Sequence, residues 1–112
     1  MAKTLATNLQ NAVRIVAAST TLRLTDFFIS VQAPAANVVL TLPKGATVPA
    51  GTTFEIVKDA TATFTVAITP NAADKLNGGS AGTATTLAAG AGKACDVFWD
   101  GTQWWTNPFV AS

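Results

Sequence analysis

The residues equipped for acid–base chemistry are six carboxylates, Asp26, Glu55, Asp59, Asp74, Asp96 and Asp100, in a chain without histidine. Glycoside hydrolysis needs two carboxyl groups facing each other at roughly 5–9.5 Å, one with a raised pKa. Asp96 and Asp100 flank an aromatic stretch and are the pair on which a small hydrolase would rest. Structural roles suit both better: Asp100 opens an Asp-Gly turn, and Asp96 occupies a solvent-facing strand position. No catalytic residue is therefore expected. With no histidine and a single cysteine, Cys95, the chain builds neither a Cys/His zinc site nor a Ser-His-Asp or Cys-His nucleophile. Asp74 with Asn71 and Asn77 invites comparison with a calcium loop. The alternating acidic ligands and closing Glu of an EF-hand are missing. The run NGGSAG (77–82) lacks the Lys-Ser/Thr of a phosphate loop. No metal or cofactor is expected.

The aromatic group Phe98, Trp99, Trp104, Trp105 and Phe109 is the most unusual feature. Side chains alternate along a strand, so Trp104 and Trp105 point to opposite faces. One enters the core and the other lies outside or in an interface. Exposed tryptophan serves protein contacts and, as an alternative, the stacking of a sugar ring. Cys95 reads as a small apolar packing residue, and as a lone cysteine it forms no internal disulfide.

Composition narrows the field further. The chain is 112 residues long, 49% hydrophobic but only 12% charged, with a net charge of +1. That balance provides no electrostatic footprint for nucleic acid or an anionic membrane, and no apolar run reaches the roughly 18 residues of a membrane-spanning helix. Asn8, Gln10, Asn11 and Arg14 interrupt any apolar centre of an N-terminal export signal. The protein is therefore expected in the cytoplasm where it is made. Folding hides roughly 65% of the surface of a chain this size. The apolar surplus beyond that core is read as surface meant for another protein.

The elements that must position these residues are strands. Residues 4–18 read either as a helical stripe of Leu5, Leu9, Ala12, Val13 and Val16, or as a strand over the last few positions. The preferred reading is an arm or short helix over 1–11 followed by a β domain over 12–112. Strands are expected at 21–32, 38–42, 52–59, 61–69, 83–90, 93–99 and 102–106, with a turn-rich connector at 43–51 and a loop from Pro70 to Gly82. Asp100-Gly101 fits a two-residue type I′ hairpin turn, which would set Trp99 beside Thr102 and Phe98 beside Gln103. About eight short strands at this spacing predict an all-β, single-domain antiparallel sandwich or jelly-roll-like barrel.

Four motifs then occur in order: the Pro-Gly connector LPKGATVPAG leading into TTFEIVKD; the loop Asp74-x-x-Asn77-Gly78-Gly79; the strand Leu87-x-x-Gly90; and the hairpin FWDGTQWW with Asp100 and Gly101. Over residues 38–106 this succession resembles a module of tailed-bacteriophage virion proteins, found in tail fibres and in small proteins that decorate or cement capsids. The chain shows none of the repeats or stalks that surround the module in fibres. The resemblance implies a capsid decoration protein on the virion surface, bound to the major capsid protein, and the apolar surplus predicts that it also binds itself as a homodimer or homotrimer. Its alternative is a tail-fibre or receptor-binding module recognising a surface glycan on Trp104 or Trp105. The candidate partner-binding residues are Leu5, Leu9, Val13, Trp104, Trp105 and Phe109. Asn77, Gly78, Gly79, Asp100 and Gly101 are expected to shape turns.

Overall fold

Alternation of apolar and polar side chains decides which residues become strands and which way each strand faces. In Thr53–Lys58 the side chains of Phe54, Ile56 and Lys58 are buried while Thr53, Glu55 and Val57 are half-exposed. In Val66–Thr69 the buried residues are Val66 and Ile68. The computed structural model of the protein describes residues 13–32, 36–58, 64–87 and 94–107. Across them lie nine strands: β1 (Val13–Val16), β2 (Thr20–Thr21), β3 (Phe28–Val31), β4 (Val38–Thr41), β5 (Thr53–Lys58), β6 (Val66–Thr69), β7 (Thr85–Leu87), β8 (Ala94–Trp99) and β9 (Trp104–Asn107). A single 3-10 turn, Gly45–Thr47, interrupts the connector after β4.

The strands form a five-stranded sheet in the order β1-β3-β5-β8-β9 and a four-stranded sheet in the order β2-β4-β6-β7. Both sheets are mixed, which corrects the antiparallel arrangement expected from the sequence. β1/β3, β3/β5, β2/β4 and β4/β6 pair parallel. Only β5/β8, β6/β7 and β8/β9 pair antiparallel. Up to β6 each strand is followed by one in the other sheet, so the chain winds three times between the two sheets. A strand that returns to its own sheet after a passage through the other runs in its original direction. That passage supplies the crossover which a parallel pair requires.

The expected strand over 21–32 is in fact two elements. Thr20–Thr21 belongs to the four-stranded sheet and Phe28–Val31 to the other, with a loop from Leu22 to Phe27 between them. Leu22 and Ile29 of this stretch are buried, but Leu24 and Phe27 are exposed. One cluster of buried apolar residues joins the sheets, with Val31, Ile56 and Val97 from one and Leu40, Val66 and Ile68 from the other. Buried Lys58 sits in this wall, its ammonium 4.9 Å from the centroid of the Phe64 ring. A cation over an aromatic face recovers part of the hydration it gives up. The expected arm over 1–11, with Leu5 and Leu9, lies outside the described residues, as does Phe109.

Candidate interaction site

The tryptophan end is built from β8, β9 and the loop after β6. Trp99 faces Trp104 and Phe98 faces Trp105 across the hairpin. The connection is therefore the four-residue loop Asp100–Gln103, which corrects the two-residue turn expected from Asp100-Gly101. Gly101 has φ +100°, and Asp100 is not in the positive-φ region. The Asp100 carboxylate takes the place of a type I′ turn. Its Oδ1 accepts from the backbone N–H groups of Thr102 (2.6 Å) and Gln103 (2.8 Å), and its Oδ2 accepts from Trp105 Nε1 (2.8 Å). These bonds, led by the Gln103 amide and followed by the Trp105 indole, hold the Asp100 carboxyl below its ordinary value. An acid held ionised by three donors is a turn clamp.

Trp104 is buried in full, with its ring centroid 5.2 Å from that of Trp99 and 5.9 Å from that of Phe54. It is a core residue, and its burial corrects its placement among the partner-binding candidates. Trp105 lies on the opposite face, half-exposed, beside Phe98. The division of the two rings between faces is the one expected from alternation.

The Asp74-to-Gly79 loop staples this end. Asn77 has φ +54°, its Nδ2 donates to Thr106 Oγ1 (2.7 Å) and its Oδ1 accepts from the Thr106 backbone N–H (2.8 Å). The Asn77 N–H donates to Trp104 O, and the Trp104 N–H donates to Lys75 O, each at 2.9 Å. An asparagine side chain thus continues the ladder along β9 where backbone alone does not reach. Gly78, at φ +76°, donates to Gln103 Oε1 at 2.9 Å. The Gly79 N–H donates to Leu76 O at 3.0 Å, closing the turn. Asp74 Oδ2 accepts from the Gly45 N–H at 2.7 Å. Gly45 is pressed against the Trp99 ring so closely that a Cβ there would come within 2.3 Å of it. Asn77, Gly78, Gly79, Asp100 and Gly101 thus all shape backbone. Among the described residues no three His, Cys, Asp or Glu side chains gather to hold a metal ion.

The opposite end, the first winding, is organised around Asp26. Arg14 Nη1 donates to Asp26 Oδ2 (2.8 Å) and to Thr21 O (3.2 Å), and Arg14 Nη2 donates to Thr20 Oγ1 (2.8 Å). The Arg23 backbone N–H also donates to Asp26 Oδ2 (2.8 Å), while its guanidinium stands 3.7 Å from Asp26 Oδ1. Val13, Arg14, Arg23, Thr25 and Asp26 line an open pocket of about 230 Å³. Six large apolar side chains are exposed among the described residues, and four of them, Val13, Ile15, Leu24 and Phe27, belong to this winding.

Of the sequence-derived candidates the structure brings Val13 to this surface. Ile15, Leu24, Phe27 and the two arginines were not singled out. Phe27-Phe28 carried a usable signal, because neighbouring residues in extended chain cannot both face one core. No protein-family model matches the chain, and no curated protein is similar to it. No helix among the described residues is long and apolar enough to cross a membrane.

Proposed function

We propose that this chain is a small structural protein of a phage particle, one that binds the outside of an assembled capsid and stabilises it, and that it associates with itself. The observation that carries this reading is that Val13, Ile15, Leu24 and Phe27, four of the six large apolar side chains exposed among the described residues, all belong to the first winding. Exposed apolar side chains scattered singly are ordinary, whereas four on a winding that also carries Arg14 and Arg23 match the composition of protein contact surfaces. The resemblance over residues 38–106 supplies the kind of partner. Its loop and hairpin residues build the stapled tryptophan end described above. A single core shared by both sheets supports a two-layer sandwich as the finer description of the fold. Weak contacts suffice for a decoration protein, because an oligomer engages several sites of one rigid lattice together.

Mixing purified protein with capsids that lack it, followed by sedimentation and a mass-spectrometric copy count, tests the reading. Saturable binding at hundreds of copies per particle is the expected result, and absence of binding overturns it. A second reading, a glycan-binding fibre module, draws on Trp105. The bond to Asp100 fixes its indole on an outer face beside Phe98, as a sugar-stacking platform requires. Binding to a glycan array that is lost in Trp105→Ala would favour it.

A further inference from the structure

The five-stranded sheet sorts its charges by face. Alternation turns Arg14 to the side of buried Val16, where it bonds Thr20 of the other sheet, and turns buried Lys58 to the inner side with Phe54 and Ile56. Glu55 and Asp96, the other charged residues on these five strands, point outward. Register sets the two carboxylates directly opposite each other on antiparallel β5 and β8. Like charges in that relation destabilise a sheet. Neither has an ion-pair or hydrogen-bond partner among the described residues.

Much of the remaining face is apolar. Val13 and Ile15 of β1 and Phe98 of β8 are exposed on it, and Phe28, Val57 and Trp105 are half-exposed. The carboxylates lie among these side chains. Phe28 stands beside Glu55 in register, and Phe98, two residues along β8 from Asp96, pairs with Trp105 on β9. The four-stranded sheet covers the inner side, and among the described residues no strand lies over the outer one. Antiparallel sheets commonly leave one polar face to water, whereas parallel strands are normally covered on both faces. β1, β3 and β5 run parallel and carry apolar residues outward, the pattern of a face that receives a cover.

From this charge and its apolar surround we propose that the outer face of the five-stranded sheet is the seat of the partner protein. The partner sets an arginine on Glu55 and Asp96, with apolar side chains around it. A guanidinium carries five N–H donors in a planar fork, enough to serve two carboxylates at once, and its flat face stacks on aromatic rings. The mutual repulsion of the carboxylates, a cost in the free protein, becomes attraction for the arriving cation. A second copy of the chain is a poor occupant, because it would bring the same two anions and no cation. The proposal rests on the capsid-binding reading for the partner's identity and adds to it the surface and the chemistry of the contact.

The test compares wild type with Glu55→Gln/Asp96→Asn, which keeps both side-chain shapes and removes both charges, by sedimentation with capsids that lack the protein. The double variant is expected to bind with a Kd about 10- to 100-fold higher, and added salt should weaken wild-type binding far more than the variant's. Its melting temperature should stay equal or rise, because the opposed charges are gone. A purely structural role for the carboxylates would not separate binding from stability in this way. Independently of any substitution, carbodiimide coupling of glycine ethyl ester should label Glu55 and Asp96 in the free protein and spare both on particles, read by peptide mass spectrometry. Should the double variant melt lower, this labelling decides alone. A double variant that binds as tightly as wild type, or equal labelling of free and bound protein, overturns this face and leaves capsid binding standing. Protection that arises at high protein concentration without capsids makes a second copy the occupant and also overturns the proposal. A wild type that does not bind capsids overturns the capsid reading and this assignment together.

Discussion

The two ends of the molecule treat their polar groups in opposite ways. At the tryptophan end Asn77 and Asp100 turn their side chains back onto their own backbone, and between them hold Thr106, Thr102, Gln103 and Trp105. At the first winding Arg14 likewise ties β1, β2 and the loop before β3 together, but Arg23 keeps an exposed side chain whose guanidinium stands 3.7 Å from Asp26. One end is closed upon itself and specifies the fold. The other holds its backbone with one arginine and keeps the second available. Local satisfaction and outward availability are thus separated along the chain, and substitutions at the two ends should fail in different ways.

The largest effect is expected in the closed end's core. Trp104→Ala removes a ring packed on both Trp99 and Phe54 and should cost about 3–5 kcal/mol, measured by urea unfolding. Asn77→Ala loses both bonds to Thr106 and places alanine at φ +54°, for about 2–4 kcal/mol. Asn77→Gly should recover the conformational part of that loss. Gly101→Val forces a β-branched residue to φ +100°, at about 1–3 kcal/mol. A Cβ at this position would lie at an ordinary 3.5 Å from Ala50, so the cost is conformational and Gly101→Asn should be milder.

Smaller still, and dependent on pH, is the contribution of Asp100. Its folded-state pKa lies below the ordinary 3.8, so the ionised form is the one that the fold favours. Its stabilisation is complete above that ordinary value and disappears as pH falls through the folded-state value. Melts of wild type and Asp100→Asn should differ by a constant amount near neutrality and converge in acid. At the open end, Ile15→Ser should leave stability within about 0.5 kcal/mol while weakening particle binding, because the 66% exposed side chain contributes little to the core. If Ile15→Ser instead unfolds the protein, the contrast between the ends collapses.

The strands themselves were legible because Phe54, Ile56, Phe64, Val66 and Ile68 alternate with polar neighbours. The opposed faces of Trp104 and Trp105 follow from the same rule. Strand direction was not legible, since alternation carries no sign: Ile29 reads the same whether its neighbour Ile56 runs with it or against it. The connectors held the missing information. Of the antiparallel pairs only β8/β9 is joined by a tight loop; the three residues between β1 and β2 carry the chain to the other sheet, and a chain without hairpins among its first six strands has no local means of making antiparallel pairs. The hairpin loop was misread because Asp-Gly occurs in more than one turn geometry, and the deciding bond from Trp105 spans five residues. The first-winding surface escaped because Arg14 and Asp26 meet only after the chain has passed through the other sheet. Cys95 followed its composition: burial, reinforced by the Asp96 charge, pushes its thiol pKa to about 11. It should resist alkylation until the fold opens.

The winding between sheets also imposes a parity on how such a chain can change length. Each full circuit through β1 and β2, β3 and β4, or β5 and β6 adds one strand to each sheet and returns the chain to its starting side and direction. An insertion of one whole circuit would extend both sheets and leave every later pairing intact. A half circuit would exchange the sheets of all strands downstream, bringing the partners of Trp104 and Asn77 to the wrong layer. Growth or loss in this architecture is therefore quantised, one paired rung at a time, with the stapled tryptophan end fixed as the terminus of the count.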